Sequence, residues 1–165
     1  MKILTLFLLS FSFKITVGQT RIDTVNNLFH QGEIYFTTMY VNKNFDSASK
    51  LWDRNTLSEM KDFYKIENIG NFTDSLVLLK IKEDYSKYYQ SLTHFELLYM
   101  AGSHIENQEP DFLAFNILYY YKETLKKRTK KKPVLLYFIS RNNGETWGIQ
   151  DFKIKEIAKS FNKPN

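Results

Sequence analysis

The spacing of apolar runs after residue 75 constrains this chain more than any other feature. Residues 76–81, 91–101, 112–121, 134–139 and 146–152 are each rich in branched or aromatic side chains. Short polar or turn-forming stretches separate them, among them 104–111 with its Pro110. Parallel strands need long crossover connections, so runs joined this closely predict an antiparallel meander.

The first part of the chain has a different period. From Asp23 the apolar residues Val25, Leu28, Phe29, Phe36, Met39 and Tyr40 recur at helical spacings, with Gly32 as a weak point. Asn42-Lys43-Asn44 breaks the segment, and Phe45, Ala48, Leu51 and Trp52 form a second short stripe. Thr56-Leu57-Ser58-Glu59 reads as a capping box, starting a helix that buries Leu57, Met60, Phe63 and Tyr64 before Gly70. The expected fold is therefore α+β, with N-terminal helices packed on a strongly bent antiparallel meander.

Residues 1–18 carry the order of a secretory leader: Lys2, an apolar stretch from Ile3 to Phe13, and then small residues up to Gly18. That stretch is too short to anchor in a bilayer, and no other is long enough to span one. The expected product is an exported protein, periplasmic or extracellular, with residues 19–165 forming one domain. The chain has no Cys, which excludes disulfides, thiolate metal sites, Cys nucleophiles and a lipidated N-terminal Cys. Stability must come from an ordinary core, for which the 16% aromatic content is well suited. Asn71-Phe72-Thr73 is a glycosylation sequon, meaningful only where exported proteins are glycosylated.

Charge is localised. Lys122–Lys132 contains seven basic residues and Glu123, a local +6 against +5 for the whole chain. Lys126, Lys127, Arg128, Lys130, Lys131 and Lys132 are candidates for an anion-binding hairpin facing phosphate, anionic lipid or polysaccharide. A solvated, solubilising tip is the plainer reading. Nucleic acid is disfavoured as a partner, because no base-stacking motif accompanies the charge.

Few residues suggest chemistry. His94 and Glu96 stand two apart in a strand and should share a face with Leu92, Leu98 and Met100. In a pocket they could move a proton; on a surface they are an ordinary polar pair. Asn116 and Tyr119 are further candidates for lining a ligand cavity. His104-Ile105-Glu106 falls in a predicted loop with no partner at metal spacing. No phosphate loop, nucleophile elbow or triad spacing occurs, and no cofactor or metal site is expected.

The octapeptide 140–147, S-R-N-N-G-E-T-W, resembles an Asp-box, S-x-D-x-G-x-T-W. Ser140, Gly144, Thr146 and Trp147 match, while Asn142 replaces the Asp. The resemblance implies a structural hairpin, with Trp147 as a core anchor. A single copy in a chain this short excludes a propeller.

The helix order, the turn at Asn44-Phe45-Asp46 and the closing Gly144-Glu145-Thr146-Trp147 also resemble nuclear transport factor 2-like domains. This resemblance implies a cone-shaped, cystatin-like α+β fold covering nearly all of residues 19–165, with the sheet curled against the helices around a pocket. It fixes no activity, because such domains include both enzymes and binding modules. The leading expectation is a non-enzymatic binding domain. Its ligand would be a small apolar or amphipathic molecule in the pocket, or a protein, a second copy of the chain included, would cover the sheet. The alternative is a cofactor-free enzyme of polyketide-cyclase or isomerase type using His94 and Glu96.

Overall fold

The computed structural model describes residues 23–66, 73–109, 112–142 and 144–162, with the backbone alone for 101–109. The expected leader, sequon residues Asn71 and Phe72, Gly70 and Pro110 lie outside the described residues. The chain divides between Ile34 and Tyr35 into two units. The described part of the first, 23–34, is helical, and Gly32 does not interrupt it.

The second unit opens with helical Tyr35 and Phe36 and a π-turn, Thr37–Val41. Lys43 then adopts a left-handed backbone (φ 54) that ends the segment where the Asn-Lys-Asn sequence placed the break. A one-turn helix α1, Phe45–Ala48, is capped by Asn44, whose side chain accepts from the Ser47 amide, and a 3-10 turn, Ser49–Leu51, follows. Helix α2 runs Asn55–Ile66. The expected capping box is not formed: Asp53 Oδ1 accepts from the Asn55 amide at 3.0 Å, and buried Thr56 Oγ1 has no partner among the described residues.

Two further helices correct the sequence reading. Residues 76–81, expected as a strand, lie inside helix α3, Asp74–Ser91. Its buried face is Val77, Ile81, Asp84, Tyr85 and Tyr88, a three- and four-residue spacing longer than the Leu-Val-Leu-Leu run that suggested β-structure. The last expected strand, 146–152, shrinks to four residues, and helix α4, Lys153–Phe161, follows with Ile154, Ile157 and Ala158 buried.

The sheet has four antiparallel strands in sequence order: β1 Leu92–Glu109, β2 Phe112–Leu125, β3 Arg128–Ser140 and β4 Gly148–Asp151. Residues 104–109, expected in a loop, continue β1. Four register shifts interrupt β1, at Leu92/His94, Leu97/Tyr99, Met100/Gly102 and Asn107/Glu109. Such bulges bend a strand and blunt an exposed edge. One face of β2 and β3 is fully buried: Phe115, Ile117, Tyr119 and Tyr121 opposite Val134, Leu136 and Phe138. Phe36, Tyr40 and Phe95 pack onto it, with Phe36 edge-on to Tyr119 at 5.0 Å and Phe95 stacked on Tyr121 at 5.0 Å. Burying each such ring stabilises the fold by about 1.5–3 kcal/mol.

Candidate functional site

The inner face of the sheet holds a polar system within this aromatic core. Asp151 Oδ2 accepts from Tyr35 at 2.9 Å and Tyr40 at 2.5 Å, and its Oδ1 accepts from the Lys153 amide at 2.8 Å. Trp52 Nε1 donates to Tyr35, and the Tyr40 and Tyr85 hydroxyls lie 3.0 Å apart. Beside it, Lys153 Nζ donates to Glu123 at 2.9 Å and to the Tyr121 hydroxyl at 2.7 Å, while Tyr88 also donates to Glu123.

Burial pushes the Asp151 carboxyl up, against the hydrogen bonds that favour its charged form. Burial likewise lowers Lys153 despite Glu123. It opposes ionisation of Glu123 too, but the charge and hydrogen bond of Lys153, the Tyr88 hydrogen bond and the charge of Lys132 together outweigh it and hold that carboxyl below its ordinary value. Tyr35, Tyr40 and Tyr85 are raised by burial and by Asp151, so they remain phenols and donors. Every heteroatom in this system has a protein partner, which makes it a structural keystone of the core.

The proposed ligand residues are dispersed. Tyr119 is fully buried in the aromatic core, and Asn116 is half-buried on the opposite face of β2. His94 and Glu96 do form a pair, Nε2 to Oε2 at 3.6 Å, but their side chains are 53% and 49% exposed, and Lys122 also approaches Glu96. The geometry lacks the enclosure that acid-base chemistry on a substrate requires. The register shift at Leu92/His94 explains the misplaced face: Leu92 turns inward with Phe95, while His94 and Glu96 point out. The side chains of His104 and Glu106 lie outside the described residues.

The basic run separates into parts. Lys126 and Lys127 form the two-residue turn between β2 and β3, both with positive φ, 45° and 71°. They and Arg128 and Lys130 are exposed, and no ion pair among the described residues reaches them. Lys132 turns inward to Glu123 at 3.3 Å and also pairs with Glu156. Lys131 turns outward, 4.7 Å above the Tyr99 ring, and donates to its hydroxyl. Tyr99 stacks on Tyr120 at 4.9 Å.

The octapeptide is a turn held by its own side chains. Ser140 Oγ accepts from the Gly144 amide at 2.8 Å, and Asn142 Oδ1 accepts from the Thr146 amide at 3.0 Å. Asn142 Nδ2 donates to Thr146 Oγ1, a bond that the Asp of the motif could not donate. Gly144 takes φ +90, which suits the residue that lacks a Cβ. Trp147 is part-exposed, not the core anchor expected, and its ring nitrogen donates to the Gly144 carbonyl at 3.1 Å.

No group of three or more His, Cys, Asp or Glu among the described residues could hold a metal ion, and no described helix is long and apolar enough to cross a membrane. No protein-family model, curated protein or solved structure matches the chain.

Proposed function

We propose that this chain is an exported binding domain that meets a protein partner through the outer face of its sheet. The observation that carries the reading is the exposed aromatic platform on β1 and β2. Tyr99 is 50% exposed and is held flat by its stack on Tyr120 and by Lys131. Part-exposed Leu118, Leu135 and Tyr137 continue the surface. Tyr is enriched at protein interfaces, and an aromatic already ordered in the free protein loses little entropy on binding. Because the inner face is filled by buried side chains, a partner on the outer face is favoured over a small molecule in the cone. Lys122 and Lys131 beside the platform suit a partner with an acidic rim. The cone-like, nuclear transport factor 2-like scaffold belongs to the same proposal, supported by the helices that precede the meander and by the bulges that bend β1.

The test is site-specific photo-crosslinking in the producing cell, with benzoylphenylalanine replacing Tyr99 or, as a control, exposed Lys61. We expect a discrete adduct from position 99 that weakens with added salt. Equal adducts from both positions, or none from position 99, would reject the reading.

A further inference from the structure

A second surface, independent of the sheet platform, has the chemistry of a ligand site. The chain between α1 and α2 and the β3–β4 turn enclose an open cleft of about 420 Å³, within the usual size range of ligand pockets. Trp52, Asp53 and Arg54 line one wall; Arg141, Thr146 and Trp147 line the other. Both tryptophans of the chain are therefore here.

Backbone contacts fix the walls. The Asp53 amide donates to the Ile149 carbonyl at 2.9 Å, and Trp52 bridges to Ile149. A Cβ on Gly148 would stand 2.7 Å from Asp53 Cα, so only glycine allows the approach. Both indole nitrogens are already spent, Trp52 on Tyr35 and Trp147 on Gly144, so the rings offer the cleft hydrocarbon surface. Arg141 is held by Asp53 Oδ1 at 3.2 Å and by the Phe112 ring. That leaves Asp53 Oδ2 as an acceptor with no partner among the described residues. Arg54, exposed on the same wall, likewise has none.

Flat apolar rings beside a fixed acceptor and a fixed guanidinium match a pyranose: its C–H face stacks on an indole, and neighbouring hydroxyls donate to the carboxylate and accept from the arginine. Two arginines against one aspartate leave the cleft with a net positive charge. An unpaired guanidinium fork takes a carboxylate in bidentate fashion. We propose that this cleft binds a uronic-acid saccharide, with Asp53 and Arg141 reading ring hydroxyls and Arg54 pairing with the sugar carboxylate.

Because both tryptophans line the cleft, intrinsic tryptophan emission reports on its occupancy. The experiment titrates the full chain with trimers of galacturonate, glucuronate, mannuronate and guluronate, each beside its neutral hexose counterpart. At least one uronate should give a saturable shift with affinity about tenfold or more above its neutral counterpart, as one charge-assisted pair provides. Arg54→Gln should abolish that advantage while thermal unfolding stays unchanged, since Arg54 is exposed and holds no other group. Equal response to neutral and acidic trimers, an Arg54→Gln chain that keeps the preference, or no response to any trimer would each overturn the proposal.

Discussion

Glu123 and Lys153 meet at 2.9 Å with side chains each 1% exposed, and Lys132 closes on the same carboxylate from the rim. Removing one member of a buried pair leaves the other charge uncompensated, which costs about 3–5 kcal/mol. Glu123→Gln should therefore lower stability by about that amount at neutral pH. The deficit should depend on pH with a definite sign. Lys153 holds the Glu123 carboxyl below its ordinary value of 4.5. Its contribution is thus complete above that value and is lost as pH falls through the lowered one. Urea unfolding of both proteins should show the gap narrowing progressively below 4.5, and a constant gap would refute the assignment. Asp151, raised by burial, has the opposite sign: its carboxylate weakens the fold as pH climbs from the ordinary value to the raised one. None of this is legible in the sequence. Acids and lysines are read as surface residues by default, and only the tertiary structure brings Glu123, Asp151 and Lys153 under one layer of tyrosines.

At the scale of elements, β2 and β3 were the most readable, because one face is packed and the other open, which preserves a clean two-residue alternation. Edge strand β1 was less so, since each bulge resets the alternation and moved Leu92 away from His94. Helix α3 is hard to read for a different reason: the four-residue apolar run Leu76–Leu79 has no period of its own, and the residues that share the buried face of Val77, namely Ile81, Asp84, Tyr85 and Tyr88, lie beyond it. The β2–β3 turn places two lysines in left-handed backbone, where a two-residue hairpin favours Asn-Gly. A residue with a Cβ costs about 1–2 kcal/mol there. Lys126→Asn with Lys127→Gly should accordingly stabilise the domain by about 1–2 kcal/mol in thermal or urea unfolding. A loss of stability would mean that the lysine side chains support the turn in a way their exposure does not suggest.

For the second unit as a whole, the sheet order follows the chain order, so strand pairing needs only neighbouring segments. The tyrosine–aspartate hub does not follow that rule: Tyr35 and Tyr40 reach an acceptor 116 and 111 residues further along. Deleting residues 145–165 removes β4, α4, Asp151 and Lys153 together, leaving Tyr35 and Tyr40 without their shared acceptor and Glu123 without its buried cation. Unsatisfied buried groups cost about 1–3 kcal/mol each, more when charged, against a total stability of about 5–15 kcal/mol for a typical domain. The truncated chain should show no cooperative thermal transition by circular dichroism, and a sharp transition would show that the hub is dispensable.

The position of Asp151 also sets an order in time. As the polypeptide is made, Tyr35 and Tyr40 emerge more than a hundred residues before the carboxylate they share. Helices and hairpins can form as they appear, but the knot that ties Tyr35 and Tyr40 to Asp151 stays open until β4 has been made.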